Sequence, residues 1–107
     1  MYAVIFEVEV KPDGKDIYLN IASKLKEQLQ QTVGFISIER FQSLVSEGKL
    51  LSLSFWEDMD SIDAWKKNLD HMNAQSKGRS SLFKDYRIRI AKVEKDYTLQ
   101  TSEFHNQ

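Results

Sequence analysis

The stretch YAVIFEVEV, residues 2–10, alternates without a break. Tyr2, Val4, Phe6, Val8 and Val10 fall on one side, and Ala3, Ile5, Glu7 and Glu9 on the other. A period of two with one apolar side is the mark of a half-buried strand. KPDG then ends it, with the chain's one proline and a turn-forming Asp-Gly pair. Residues 15–32 change to helical spacing, with Ile17, Ile21, Leu25 and Leu29 recurring every four and Tyr18 and Ala22 beside them. Gly34 follows as a helix-ending glycine. FISIERFQSL (35–44) and LLSLSFW (50–56) read as strands joined by a SEGK turn. EDMD opens a second helix, its acidic residues suiting the positive end of the dipole. Ile62, Trp65, Leu69 and Met72 form the stripe of that helix, and SKGRSS interrupts it. YRIRIAKVEKD (86–96) is a fourth strand, and YTLQTSEFHNQ is a weakly patterned tail.

The order β-α-β-β-α-β predicts an α+β, ferredoxin-like split βαβ fold, with an antiparallel four-stranded sheet in the order 4-1-3-2 and both helices on one face. Strand 4 then lies beside strand 1, which brings Arg87 and Arg89 to the same face as Glu7 and Glu9 for cross-strand pairing. The face expected under the helices is Val4, Phe6, Val8, Ile36, Ile38, Leu51, Leu53, Phe55, Ile88 and Ile90. The opposite face is expected to carry Ile5, Phe35, Phe41, Leu50, Trp56 and Val93 among charges and serines. So much apolar surface calls for cover, and a second sheet would supply it.

The chain has 107 residues, which suits one domain, read as 1–97 with a tail at 98–107. Lys and Arg number 15 and Asp and Glu 16, so charge gives no reason to expect nucleic acid or an anionic membrane as partner. Cysteine is absent, which excludes disulfides, thiolate metal sites and cysteine nucleophiles. MYAVIFEVEV has no basic segment before its apolar residues and is not read as a signal peptide. No apolar run approaches a membrane span, so a cytoplasmic protein is expected.

Few residues offer chemistry. The two histidines, His71 and His105, have no metal-ligand spacing, so no metal site is expected. DGK at 13–15 lacks the pattern of a phosphate loop. RNA-recognition domains share this order of elements, but KLLSLSFW lacks the glycine and the exposed aromatics that stack bases. Trp65 belongs to the apolar stripe of the second helix, as a core residue or as one wall of a pocket, and Tyr86 at the start of strand 4 is of the same kind. On an unbroken helix His71 shares a polar face with Asn68 and Gln75; a break near Asn68–Asp70, where the residues are indifferent helix formers, would turn it inward. Histidine titrates near neutrality, so an inward His71 could serve as a base, a donor or an axial ligand.

VIFEVEVKPDGKD, GFISIERFQS, LLSLSFWEDMDSIDAWKKNLDHMNAQ and GRSSLFKDYRIRIAKV together resemble the antibiotic-biosynthesis monooxygenase (ABM) domain family, of the dimeric α/β-barrel superfamily. The telling piece is a strand ending in Trp56, an acidic turn, then Trp65 and His71. The resemblance implies a homodimer whose sheets face each other as a barrel, and a cavity between helices and sheet on the Phe6 and Trp65 side. It implies a cofactor-independent monooxygenase acting on an electron-rich aromatic, a phenol or quinol. Phe6, Trp65 and Tyr86 would contact the ring, His71 would be the base, and Asn68 and Arg79 would be donors to the oxyanion. Two alternatives accompany this reading: a haem-degrading monooxygenase and a non-enzymatic small-ligand-binding dimer. Haem-degrading members combine a strand-1 asparagine, a helical tryptophan and a haem-ligating histidine. Here Trp65 matches, Phe6 stands at the asparagine position, and Gln75 falls near the expected histidine, with His71 four residues earlier.

Overall fold

The computed structural model describes the backbone of residues 1–75 and 83–102, and the side chains of residues 1–68 and 83–102. Six elements follow in order: β1 Tyr2–Val10, α1 Lys15–Gln30, β2 Phe35–Gln42, β3 Lys49–Trp56, α2 Met59–Gln75 and β4 Phe83–Lys92. The strands form one antiparallel sheet in the order β2-β3-β1-β4, the expected topology, and the sheet does not close on itself. Strand β4 begins three residues earlier than the sequence suggested, and α2 runs without the break considered near Asn68–Asp70.

Register fixes which side chains share a face. Glu7 pairs with Arg87 across β1 and β4, and Arg89 Nη1 meets Glu7 Oε2 at 3.3 Å, so the expected charge pairing forms. On the helix-covered face, four transverse rows cross the sheet. Reading from β4 to β2, they are Lys92–Tyr2–Trp56–Phe35, Ile90–Val4–Ser54–Ile38, Ile88–Phe6–Ser52–Arg40 and Tyr86–Val8–Leu50–Gln42.

These rows correct the expected placement of β3. Leu50 and Trp56 lie under the helices, and Leu51, Leu53 and Phe55 lie on the open face with Ile5 and Phe41. Burial agrees: Trp56 is 0% exposed and Leu50 5%. The alternation of LLSLSFW separates two sides but does not label them. The side with two serines goes inward because Ser52 and Ser54 make room where helices cross the sheet, and Trp56 fills the space at the end. In β2 a register shift between Phe35 and Ser37 breaks the alternation. Phe35 is thereby placed beside Trp56 under α2, and Ile36, expected in the core, is 47% exposed.

Two core clusters result. One joins Phe6, Val8, Val10 and Leu50 to Tyr18 and Ala22 of α1. The other joins Val4, Trp56, Leu29 of α1 and Ile62 of α2, with Trp65 packed against it. Ile88 touches both. The start of α2 is held firmly. Asp58 Oδ1 accepts the backbone N–H of Ser61 at 2.8 Å as an N-cap, and Glu57 N–H donates to Gly34 O at 2.7 Å. Gly34 has φ +89°, and a side chain there would strike Ser61. Among the described residues no helix is long and apolar enough to cross a membrane.

Candidate functional site

The helix-covered face leaves one margin open. On β4, Tyr86 is 41% and Ile90 42% exposed, although both point to the side where the helices pack. Phe6 lies behind Tyr86, with ring centroids 5.7 Å apart and the planes tilted by 55°. Phe83 meets Tyr86 edge-on at 6.2 Å and Tyr18 of α1 at 5.7 Å. These contacts make a run of four rings, Tyr18–Phe83–Tyr86–Phe6, at one end of the margin.

At the other end α2 presents Trp65. Its indole rests on Trp56, with centroids 5.9 Å apart, and Trp56 meets Phe35 edge-on at 5.3 Å. Trp56 is fixed in turn by its indole N–H, which donates to Ser54 Oγ at 2.8 Å within the core. Trp65 itself is half-buried. Such an arrangement offers aromatic faces on two sides of a narrow strip of apolar sheet, a surface suited to a flat apolar molecule.

Of the six residues singled out from the sequence, the structure gathers Phe6, Trp65 and Tyr86 around one face, with Ile88 between them. Asn68, on α2, is exposed. The side chains of His71 and Arg79 lie outside the described residues. The α2 backbone is continuous through both Asn68 and His71, so the two stand one turn apart on the same side of the helix.

Sequence reasoning missed four participants. Trp56 was assigned to the wrong face, and Ser54, its anchor, was passed over as a surface serine. Phe83 lies before the expected start of β4. Arg40 was not singled out, yet it reaches under α1, where its Nη2 contacts Ala22 O at 3.4 Å and its Nε is buried without an acceptor. Burial pushes the nearby Tyr18 phenol above its usual range, against the pull of the Arg40 guanidinium. The signal that could have found Arg40 is its place at every second position with Ile38 and Gln42 on one side of β2.

A second concavity, of about 310 Å³, lies against the β2–β3 hairpin, lined by Glu7, Phe41, Gln42, Lys49 and Leu51 among others. It holds none of the aromatic pairs above, and its carboxylate, Glu7, is engaged by Arg89. Among the described residues no group of three His, Asp or Glu side chains gathers as a metal site would require.

Comparison with known proteins adds to this geometry. The sequence model of the antibiotic biosynthesis monooxygenase family matches residues 1–77. The jasmonate monooxygenase ABM of Pyricularia oryzae is 43% identical over 93 residues, covering 87% of this chain and 43% of that protein. The chain thus spans less than half the length of that relative. The uncharacterized protein YqjZ of Bacillus subtilis is 31% identical over 99 residues, covering 92% of this chain and 84% of that protein. Among solved structures, the haem-degrader MhuD of Mycobacterium tuberculosis, with two haems bound in its active site, is 14% identical. It superposes with a TM-score of 0.69 over 92% of this chain and 100% of its own. At that identity the likeness is one of fold.

Proposed function

The chain belongs to the antibiotic biosynthesis monooxygenase family, and from that premise we propose that it is a monooxygenase acting on a small, electron-rich aromatic, a phenol or quinol, without metal, flavin or haem. The observation that supports this reading is the margin of the helix-covered face where exposed Tyr86 and half-buried Trp65 stand, with Phe6 buried behind Tyr86.

The chemistry asks little of the protein beyond binding and proton handling. Ground-state oxygen is a triplet and reacts slowly with closed-shell molecules, but a phenolate can supply the first electron itself. Converting a phenol to a quinone places one oxygen atom on the ring and releases the other as water. All four electrons come from the substrate, so no external reductant enters. The protein holds the ring between Phe6, Tyr86 and Trp65. The family resemblance gives His71 the phenolic proton and Asn68 and Arg79 the oxyanion. Because α2 runs unbroken with Asn68 exposed, this assignment requires the substrate's oxygen to lie at the solvent edge of the margin rather than deep under α2.

The substrate has a second reading. The relative at 43% identity is named for jasmonate, the anion of an apolar carboxylic acid, and this favours such an acid for the same cleft. Haem degradation is the alternative that the fold neighbour raises. The described residues do not fit it well. Phe6 offers no hydrogen-bonding atom where the haem-degrading pattern has an asparagine, and its ring is packed in a cluster with Tyr18 and Ala22. A ligand-binding dimer without turnover is the non-enzymatic alternative.

The functional unit is a homodimer, and the protein works in the cytoplasm. The open sheet face supports the dimer: Leu51, Leu53, Phe55 and Ile5 are only half-buried there, and Phe41 is 42% exposed. A second copy's sheet covers that face and completes the barrel. Oxygen consumption by metal-stripped protein with phenols and quinols, beside the His71→Ala variant, tests the reaction.

A further inference from the structure

The seam between α1 and β2 gathers positive charge without a matching carboxylate. Arg40 stands at the β2 end of the row Ile88–Phe6–Ser52–Arg40, on the face that carries the aromatic contacts. One of its nitrogens makes a long contact of 3.4 Å with Ala22 O, and its Nε is buried with no acceptor. Among the described residues no carboxylate pairs with it; the Arg89–Glu7 pair lies on the opposite face. A guanidinium taken partly out of water without a counter-charge is costly. Buried polar groups without partners are rare enough in native proteins to demand a reason.

Three neighbours line the same seam. The Tyr18 phenol on α1 lies within hydrogen-bonding reach of Arg40, and burial pushes its ionisation upward against the pull of that guanidinium. Ser52, buried, is Arg40's register partner on β3 and separates it from Phe6. Lys15, about one turn before Tyr18, gives its ammonium to the neutral amide oxygen of Gln42 at 2.9 Å. Two cations and two hydroxyls therefore share one seam, at the edge of the sheet.

We propose that Arg40, with the hydroxyls of Tyr18 and Ser52, is the anchor for a carboxylate on the molecule this protein binds, an apolar acid whose body runs along the row toward Phe6. Two strand spacings separate Arg40 from Phe6, roughly 10 Å, a span that a small apolar acid covers. A guanidinium suits this task because its fork of donors matches a carboxylate in two places. Phe6, Tyr18, Ala22 and Ser52 are all buried along this row, so the proposal requires α1 to move aside for the ligand. The inference rests on the reading that the ligand lies against Phe6, and it is independent of any oxidation.

Titration calorimetry of the full chain with jasmonic acid and methyl jasmonate compares one apolar body with and without the charge. The wild type should bind the acid about tenfold or more tightly than the ester, as a charge-assisted hydrogen bond predicts. Arg40→Gln should weaken binding of the acid until the preference over the ester is lost, while Arg40→Lys keeps part of it. Equal binding of acid and ester by the wild type, binding of neither, or a preference that survives Arg40→Gln overturns the anchor. A thermal melt of Arg40→Met separates the anchor from a structural bolt. An unchanged or raised Tm is expected, because a half-buried guanidinium without a carboxylate partner is removed; a Tm several degrees lower assigns Arg40 to holding α1 and overturns the proposal. Neither measurement reads oxygen consumption, so a failed oxygenase reading and a failed anchor are told apart.

Discussion

The indole N–H of Trp56 donates to Ser54 Oγ at 2.8 Å, between residues two apart on the same face of β3, with the Trp56 ring 0% exposed. This bond fixes the plane on which Trp65 rests, and so joins a short sequence pattern, S-F-W, to one wall of the cleft. Ser54→Ala leaves a buried N–H without an acceptor and should cost about 1–3 kcal/mol in urea denaturation. Trp56→Phe removes the donor instead. In a double-mutant cycle the pair should then cost less than the sum of the two single changes; additive costs would mean the bond contributes nothing.

Gly34 is the contact on which α2 is seated. At φ +89°, and with Ser61 against its Cα, it tolerates no side chain. Gly34→Ala should destabilise by about 2 kcal/mol or more, combining a left-handed backbone with overpacking. It should also shift the fluorescence of Trp65, which α2 carries.

Asp58 gives the fold a mild acid sensitivity. Its hydrogen bonds to Ser61, backbone first and then side chain, hold its carboxyl below the usual value of 3.8. A carboxyl with a lowered folded-state pKa stabilises fully above its unfolded value, and that stabilisation is lost as pH falls through the folded one. A wild-type minus Asp58→Ala difference in Tm should therefore be present at neutral pH and shrink below about pH 4. A difference that persists unchanged in strong acid would remove the cap from this account.

Much of the fold was legible because its signals were local. The alternation of β1, the helix of α1 and the charge match of Glu7 with the arginines of β4 each survive in the structure. The buried line of α1, however, runs through Tyr18, Ala22 and Leu29, and Ile17, expected in the stripe, is 51% exposed. The faces of β2 and β3 were not legible, for a physical reason. A strand between two neighbours has two sides, and here the bulkier side, Leu51, Leu53 and Phe55, points away from the helices. Counting apolar residues therefore chose the wrong side. The backbone shift at Phe35–Ser37 has no sequence mark at all. Of the proposed site residues, Trp65 and Tyr86 stand out as aromatics at patterned positions, and Phe6 enters through the family resemblance. Trp56, Ser54 and Arg40 depend on tertiary packing that pattern alone does not encode.

The corrected faces also decide where a dimer can be broken. Phe41→Asp and Leu53→Asp put a charge on the open face and should drive the protein toward monomer, because burying an unpaired charge costs several kcal/mol. Trp56→Asp should unfold the chain instead, since that ring lies in the core. Light scattering at micromolar concentration should give twice the mass of 12.5 kDa for the wild type. A wild-type monomer at high concentration would remove the barrel.

In the proposed reaction the substrate itself supplies the electrons to oxygen, so oxygen uptake reads that reaction without a mediator. Protein stripped of metal is mixed with a panel of phenols and quinols, and oxygen consumption is followed with product mass. The account predicts uptake of one O₂ for each phenol converted to a product heavier by one oxygen and lighter by two hydrogens, with His71→Ala slower by about 10²–10⁴-fold, the usual loss of a general base. Activity that appears only on adding haem, metal or flavin would contradict the cofactor-free mechanism, and an unimpaired His71→Ala would contradict the role given to His71.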